Sequence, residues 1–275
     1  MSAMVSAEDR GFLLGDGVFD TLAVHDGIPV FLSAHITPLV RHAGSIGIAV
    51  EPGLIGVAIE KSIRDFNGQD CLLRTTLTHG VAARGMWTDS VGAPTIKCLV
   101  SPLDRALIGA PTAIIVNSFA RNETSPLSRI KSLGCLDHII AAREARLAGA
   151  DDALFLNTKG ALTCNTIGNV FILEGSNLIT PPLSDGVLDG IIRGALIENP
   201  PLGLTLMEQT LMRGRAMAAY AVMITNSIRL ARPVTRLGDR TFENHAINGT
   251  VLSHLLKLVE TDLPMKIQSG NGGQI

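Results

Sequence analysis

One polar stretch divides the chain into two parts and limits the folds that it can adopt. Residues 119–127 combine charged and polar side chains with Pro126, a composition typical of connections between packed units. A chain of 275 residues is long enough to form two compact units that share one cleft. The sequence therefore predicts a first domain over residues 1–118, an interdomain linker at 119–127 and a second domain over 128–275.

The first part of the chain alternates between strand and helix patterns. Strands are predicted at residues 29–32, 71–78, 95–100 and 113–117, and an amphipathic helix at 54–66. Leu39, Ala43 and Ile46 keep helical spacing, so a further helix is expected there. Because proline is tolerated in the first turn of a helix, Thr37 is predicted to cap a helix that begins at Pro38. The first unit is therefore expected to be α+β.

The second part contains several short strand patterns and few helices. Helices are predicted over about 135–147 and from about Gly190, and strands at 153–156, 170–173 and 221–225. Many short strands with scattered helices favour a barrel-like unit. The glycine-rich polar stretch at 268–274 is predicted to be a disordered tail.

Composition and charge exclude several classes of protein. The chain has 23 basic and 25 acidic residues, a net charge of −2 and no basic run, so no nucleic-acid partner is expected. Its apolar runs are too short to span a bilayer, and no secretion signal precedes Glu8, so we expect a cytoplasmic protein without membrane contact. The four cysteines form no CxxC pair or metal-ligand spacing with histidine, which predicts reduced thiols and no metal site.

Lys131 is a candidate for covalent chemistry. It lies in the run Ser-Arg-Ile-Lys-Ser-Leu at 128–133, which is predicted to open a helical segment. A lysine can form an imine only when its ammonium group is partly desolvated or neutralised, and a position before an apolar helix can provide this. Taken alone, the same position also fits a solvated surface lysine.

Five blocks of the sequence resemble those of the class IV aminotransferases. They are DRGFLLGDGVFDT at 9–21, SRIKSL at 128–133, GALTCNTIGNVF at 160–171, LSDGVLDGIIR at 183–193 and ITNSIRLARPV at 224–234. The blocks follow the family's order and cover most of the chain. The family includes branched-chain and D-amino acid aminotransferases and 4-amino-4-deoxychorismate lyase.

The resemblance implies an α+β, two-domain fold type IV enzyme with a small α/β domain and a larger barrel-like domain. It also implies a homodimer and the cofactor pyridoxal 5′-phosphate (PLP), bound as a Schiff base to Lys131. The same lysine then serves as the general base that moves the α-proton. The expected reaction moves an amino group between a small amino acid and a 2-oxo acid.

The resemblance also assigns residues that bind the cofactor phosphate and the substrate. The N–H groups of Ile191 and Ile192, at the start of the helix after Gly190, and the hydroxyl of Ser227 are expected to bind the phosphate. The amides that follow Ser227, at Ile228 and Arg229, are expected to face the substrate carboxylate. His79 stands where relatives have arginine and is a further candidate for substrate binding.

Four residues depart from the family pattern. Pro38 replaces an arginine that holds the cofactor phosphate, and Arg41 is the candidate to replace it. Cys164 replaces a glutamate that faces the pyridine nitrogen, and a neutral thiol keeps that nitrogen protonated less well. Gly134 and Cys135 replace an Asn-Tyr pair. The loss of the glutamate is expected to slow transamination more than reactions that expel a leaving group.

Three functions remain open at this point. The first is a PLP-dependent aminotransferase. The second is a PLP lyase similar to 4-amino-4-deoxychorismate lyase, which releases pyruvate. The third is a non-catalytic relative that has lost PLP, a reading that accounts for Pro38 and Cys164 together.

Overall fold

The computed structural model describes residues 4–67, 70–87, 92–103, 111–116, 118–243 and 246–262, and its strands form two sheets. The first sheet is antiparallel, with the strand order β2-β1-β3-β4. Its strands are β1 (Gly17–His25), β2 (Ile28–Pro29), β3 (Cys71–Thr78) and β4 (Thr95–Pro102), and the helices of this part are α1 (Arg10–Leu14), α2 (Leu32–Ser45) and α3 (Pro52–Asp65).

Helices α2 and α3 cover one face of the first sheet. Side chains alternate between the two faces of a strand, so Val18 and Leu22 of β1 and Leu73 of β3 point to the same side. There they form a buried cluster with Leu39 of α2 and Ile59 of α3. The intervening residues point to the opposite face, which α2 and α3 leave open and which forms one wall of the site described below. The short helix α1 lies at the edge of this face, where Gly11 packs against Thr78.

The second sheet has 11 strands and curls around its own core. Its main path runs β10-β9-β8-β7-β6-β5-β14-β15, with β11 beside β7, and β12 between β8 and β13. The strands are β5 (Thr112–Ile115), β6 (Asp152–Leu156), β7 (Ala161–Asn165), β8 (Asn169–Glu174), β9 (Asn177–Thr180), β10 (Thr205–Glu208), β11 (Leu211–Met212), β12 (Ala221–Asn226), β13 (Leu230–Pro233), β14 (Arg236–Leu237) and β15 (Arg240–Thr241). The helices are α4 (Leu136–Leu147), α5 (Ile191–Glu198), α6 (Arg213–Ala218) and α7 (Ala246–Asp262).

The two faces of the second sheet have separate cores. Val222 and Ile224 of β12 point inward and pack with Ile172 of β8 in the cluster that the sheet encloses. Met223, between them, points outward and packs against Ile192 of α5. Alternation along the strands therefore places α5 on the outer face, over the ends of β8 and β12.

Most of the predicted elements are confirmed, and their bounds differ by a few residues. This holds for α3, β3, β4, α4, β6, β8, α5 and β12. The strand predicted at 29–32 is shorter, because it ends at Pro29 and Leu32 already begins α2. The predicted tail at 268–274 lies outside the described residues.

Two predicted helix starts are wrong. α2 begins at Leu32 and continues through Pro38, so Thr37 does not cap a helix. Leu39 and Ala43 pack in the buried cluster on the sheet, together with Leu32 and Ile36 of the turns before Pro38. This packing outweighs the cost of the proline, which lacks an N–H for the carbonyl of Ala34. Lys131 does not open a helix either: it lies in an extended segment, and α4 starts at Leu136.

Sheet pairing does not follow the predicted domain boundary. β5, which the boundary at 119 assigns to the first domain, pairs with β6 and β14 of the second sheet. Residues 131–133, assigned to the second domain, instead extend the first sheet: Ser132 bridges Val18, and the N–H of Leu133 donates to the carbonyl of Gly17 at 3.0 Å. Each sheet thus receives a segment from the other part of the chain.

The segment predicted as a linker is packed. Arg121 and Glu123 both lie in it, and the Glu123 carboxylate is buried against the Thr158 hydroxyl. A 3-10 turn, Pro126–Arg129, ends it. Within the described part of the chain, no helix is long and apolar enough to cross a membrane.

Candidate active site

Lys131 is held against the open face of the first sheet. The N–H of Phe19 in β1 donates to the carbonyl of Lys131 at 3.0 Å. The Lys131 Nζ lies 4.9 Å from the centroid of the Phe19 ring. The backbone of β1 therefore fixes this lysine, and an aromatic ring forms one wall of its surroundings.

The environment of Lys131 favours the neutral amine. Burial lowers the pKa of Lys131, and the nearby Arg74 guanidinium acts in the same direction, while Asp20 and Cys135 oppose the shift. Among the described residues, no carboxylate forms an ion pair with the Lys131 ammonium. A desolvated amine with these neighbours is suited to act as a nucleophile and as a base.

Arg74 adds a second cation to the same wall. Its guanidinium carbon lies 3.6 Å from the centroid of the Phe19 ring. Burial lowers its pKa, and no carboxylate of the described residues pairs with it. A half-buried guanidinium without a counter-ion is a receptor for an anionic group.

A cavity of about 280 Å³ opens on this face of the sheet. Thr76, which lies opposite Phe19 in the β1–β3 register, and Lys97 of β4 line it, together with Leu133 from the lysine segment. The cavity therefore adjoins the wall that carries Lys131 and Arg74.

Two buried histidines belong to α2, on the helix-covered side of the first sheet. His35 is buried, and its Nδ1 is hydrogen-bonded to Asp20 Oδ2. His42, two turns further along the helix, is 5% exposed, and neither of its ring nitrogens has a hydrogen-bond partner among the described residues. The charges that act on its ring are those of Arg41, Asp20, Lys131 and Asp189.

The start of α5 forms a second part of the site. Gly190 precedes the helix, and no side chain caps the first N–H groups, which include those of Ile191 and Ile192. A Cβ atom at Gly190 would lie 2.1 Å from Asn169 Oδ1, so only glycine fits there. Asn169 Nδ2 donates to the carbonyl of Leu188 at 2.8 Å and fixes the turn that leads into the helix.

A buried hydroxyl without a partner lies beside the start of α5. Thr225 stands opposite Asn169 in the β8–β12 register, on the face that α5 covers. It is 2% exposed, and its Oγ1 has no hydrogen-bond partner. An unsatisfied buried hydroxyl next to uncapped helix amides is an arrangement suited to an anionic ligand.

The turn after β12 contains the amides that were predicted to bind a carboxylate. The N–H groups of Ile228 and Arg229 donate to Asn226 Oδ1 at 3.1 and 2.8 Å. This Asx-type turn satisfies both donors in the structure, and the assignment of these two amides to the substrate carboxylate stays a prediction. Ser227 lies in the same turn, half-buried, two residues after Thr225, and its assignment stays a prediction.

His79 and Arg41 are held by carboxylates. His79 Nδ1 lies 2.8 Å from Asp16 Oδ1, and Arg10 Nε binds the other oxygen of Asp16 at 2.6 Å. The Arg41 side chain is more than half exposed and contacts Asp189 Oδ2 at 3.5 Å, just before α5. His79 therefore organises the loop around Asp16, and Arg41 lies near the start of α5 with its charge partly compensated.

Cys164 lies in β7 of the second sheet. It is 4% exposed, and burial raises the pKa of its thiol, with the nearby Arg121 acting in the opposite direction. The thiol is therefore neutral at neutral pH.

Arg121 joins three segments around the site. It donates to the carbonyls of Gly186 and Ser128, each at 2.7 Å, and to His138 Nε2 at 3.0 Å. Because His138 Nδ1 donates to the carbonyl of Thr166 at 2.7 Å, its Nε2 is the acceptor. Burial and Arg121 lower the pKa of His138, which keeps this neutral form.

Several of these residues were not predicted from the sequence. Phe19 lies within a block that was recognised, but its role depends on the strand pairing that puts it beneath Lys131. Asp20 and Thr225 also lie within recognised blocks, but no role was assigned to them. Four others lie outside every recognised block, and only the fold brings them together: His42, Arg74, Arg121 and His138. Within the described residues, no group of histidine, cysteine and carboxylate side chains could hold a metal ion.

Known proteins are similar to this chain over most of their length. The family described as amino-transferase class IV matches residues 17–237. The chain is 31% identical to a putative branched-chain-amino-acid aminotransferase of Methanocaldococcus jannaschii, over 89% of this chain and 86% of that protein. It is 29% identical to the aminodeoxychorismate lyase of Bacillus subtilis, over 92% and 88%.

A solved structure supports the same relationship. The crystal structure of a putative 4-amino-4-deoxychorismate lyase from Legionella pneumophila is 31% identical and superposes with a TM-score of 0.86, covering 96% of this chain and 97% of that one. The related structures are fold type IV enzymes, which confirms the expected α+β, two-domain fold class. The chain therefore belongs to the class IV aminotransferase family.

Proposed function

We propose that this protein is a PLP-dependent enzyme that moves an amino group between a small amino acid and a 2-oxo acid. The observation that carries the proposal is Lys131, a desolvated amine with a lowered pKa beside the Phe19 ring. Its relatives include both aminotransferases and lyases, so the family alone leaves the reaction open.

The residues at the start of α5 fit the phosphate of the cofactor. Ile191 and Ile192 offer uncapped N–H groups, and the helix dipole favours an anion there. The unpaired hydroxyl of Thr225 would gain an acceptor, and Ser227 lies close to it in sequence. These four residues would hold the phosphate.

The pyridine nitrogen of the cofactor would face a thiol, where the family has a carboxylate. By the family pattern, Cys164 would lie at the pyridine nitrogen, and its raised pKa keeps it a neutral thiol. PLP supplies an electron sink for carbanions at the substrate α-carbon when it is bound. A neutral thiol stabilises a protonated pyridine nitrogen less than a carboxylate does, so Cys164 weakens that sink.

The remaining residues position the substrate and move protons. Lys131 Nζ is the base, because burial and Arg74 keep its proton affinity low enough for it to accept and return a proton. Arg74 is available for a carboxylate of the substrate. Arg121 and the neutral His138 hold the lysine segment, the turn at Gly186 and α4 in place.

The test is chemical labelling of the lysine. Purified protein is mixed with PLP, its visible absorption is recorded, and borohydride reduction is followed by peptide mass mapping. We expect a visible band and a pyridoxyl group on Lys131, and we expect Lys131→Ala to abolish both. Lys159→Ala, which removes an exposed lysine, is the matched control. A band that persists in Lys131→Ala would overturn the assignment of the lysine, and no band at saturating PLP would support a relative that has lost the cofactor.

A second candidate is a PLP lyase that releases pyruvate from an aminodeoxychorismate-like substrate. The neutral thiol of Cys164 favours it, because a reaction that expels a leaving group depends less on a strong electron sink. The similarity to the aminodeoxychorismate lyase of Bacillus subtilis, and to a Legionella pneumophila protein described as a putative 4-amino-4-deoxychorismate lyase, agrees with this. Pyruvate formed without any added 2-oxo acid would identify the lyase, whereas a strict need for a 2-oxo acid would identify the transferase.

Two further expectations accompany the proposed function. The homodimer is supported by apolar residues that α4 presents to solvent, and it is tested below. A location in the cytoplasm remains a prediction from the sequence.

A further inference from the structure

We propose that His42 is the phosphate-binding cation of this protein, and that it takes up a proton when the phosphate binds at the start of α5. The inference rests on the proposed function, because the phosphate is that of PLP. It assigns to His42 a role that the motifs of the sequence did not suggest.

The geometry places His42 between the two parts of the site. Its helix passes the start of α5, where the neighbouring Arg41 contacts Asp189 at 3.5 Å. On the other side, Lys131 and Asp20 are close enough to influence its ring. His42 therefore lies between the amine that would hold the cofactor and the helix start that would hold its phosphate.

The side chain of His42 is ready for a ligand. It is 5% exposed, so water solvates its ring only slightly, yet neither nitrogen has a partner among the described residues. Its two ring nitrogens are not among the fully buried unpaired atoms, so they remain accessible to an incoming ligand. The unpaired hydroxyl of Thr225 beside the same helix start is an independent observation of a missing acceptor.

The charges around His42 explain the expected proton uptake. Burial lowers its pKa, and Arg41 on its own helix and Lys131 act in the same direction. Asp20 of β1 and Asp189 before α5 oppose them without cancelling the shift. The ring is therefore neutral without ligand, and a phosphate dianion raises its pKa, so binding takes up a proton.

This role also accounts for the loss of arginine at position 38. Positions 38 and 42 are one turn apart, so they lie on the same side of α2. A protonated histidine can supply the charge that Pro38 cannot. Unlike arginine, it supplies that charge only within a limited range of pH.

The test uses pyridoxine 5′-phosphate, which carries the phosphate but has no aldehyde to react with Lys131. Calorimetric titrations at pH 7.5 in buffers of different ionisation enthalpy measure affinity and proton uptake together. For the native protein we expect proton uptake, and an affinity that falls as the pH rises. His42→Gln should bind about tenfold more weakly without proton uptake, since a tenfold change corresponds to about 1.4 kcal/mol.

Two further variants sharpen the result. His42→Arg should retain the affinity but lose the proton uptake, because arginine is always charged. His254→Gln, which changes a partly buried histidine of α7 bonded to the carbonyl of Asn199, should behave as the native protein. An affinity and proton uptake of His42→Gln equal to those of the native protein would overturn the proposal, as would loss of proton uptake in Arg41→Gln with His42→Gln unaffected.

A measurement on the native protein guards against variants that do not fold. Nitrogen-15 spectra of the histidine rings, recorded during addition of pyridoxine 5′-phosphate, should show one buried ring changing from imidazole to imidazolium. If every ring keeps its protonation state while the compound binds, the proposal is wrong. Labelling of Lys131 by PLP and borohydride is independent of this result, so failure of the inference and failure of the proposed function can be told apart.

Discussion

Phe19 brings two cations together at one aromatic ring. Arg74 and Lys131 lie 3.6 and 4.9 Å from its centroid, and the ring face attracts both by about 0.5–2 kcal/mol each. The cations repel each other, and this repulsion adds to burial in lowering the pKa of Lys131. Arg74 therefore acts on the chemistry of the lysine as well as on anion binding.

Removal of Arg74 should raise the pKa of Lys131. In Arg74→Leu, Lys131 loses a cationic neighbour, so its amine becomes neutral only at higher pH. Competitive acetylation across a pH series, read by mass spectrometry, should give a higher midpoint for Lys131. The exposed Lys61 is the internal reference and should not change. An unchanged midpoint for Lys131 would contradict this account of its pKa.

Cys164→Glu should raise the rate of the amino-acid half-reaction. A carboxylate at this position would keep the pyridine nitrogen protonated, and Arg121 is near enough to compensate part of its buried charge. Stopped-flow absorbance after mixing with an amino acid measures the rate. Cys164→Ser controls for the loss of the thiol. A rate equal to or lower than that of the native protein would count against the argument.

The role of a single residue could be predicted from the sequence only where the residue lies in a recognisable motif. Lys131 and Cys164 lie in recognisable blocks. His42 and Arg74 do not, and Thr225 lies in such a block without an assigned role, because the roles of all three depend on contacts between segments far apart in sequence. The motif also could not reveal that the amide of Ile228 donates to the side chain of Asn226, which depends on the local turn geometry.

Helix α2 shows how packing can override the local preference of an element. Pro38 was predicted to start this helix, yet it lies in the interior, where proline typically costs about 3 kcal/mol. The local pattern could not reveal that Leu39 and Ala43 pack on the sheet together with the turns before Pro38. By contrast, α3 and α5 carry no such conflict and were predicted within a few residues.

Two substitutions at Pro38 separate helix stability from phosphate binding. Pro38→Ala restores an N–H for the carbonyl of Ala34, so we expect the free energy of unfolding in urea to rise by about 1–3 kcal/mol. Pro38→Arg should also tighten PLP binding, because its guanidinium would project from the face that carries His42. Equal PLP affinity in the two variants would contradict the phosphate placement.

At the scale of the whole molecule, α4 presents an apolar face to solvent. Leu136, Ile139, Ile140 and Leu147 repeat at helical spacing, and their exposed fractions are 72%, 44%, 44% and 89%. The opposite side of the helix buries Ala141 and Ala145. A helix with apolar residues on both sides favours contact with another surface. The homodimer implied by the family supplies one.

Charges on this face should weaken the dimer. The double variant Ile139→Glu and Ile140→Glu would bury two carboxylates if the subunits associate through α4. Light scattering during gel filtration should show a dimer for the native protein and a smaller mass for the variant. Lys61→Glu, which makes an exposed position of α3 more negative by the same amount, serves as a charge control away from the apolar residues. A variant that remains dimeric would place the interface elsewhere.

The pairing of residues 131–133 with β1 also determines when the surroundings of Lys131 can form during folding. Lys131 follows a long stretch of chain, yet its backbone is fixed by Phe19, Val18 and Gly17, which are synthesised first. The first sheet can form early on the ribosome but lacks its lysine. The lysine acquires its desolvated surroundings only when the later part of the chain arrives and docks. Reactivity of Lys131 toward an aldehyde should therefore appear late in folding, when residues 131–133 dock beside β1.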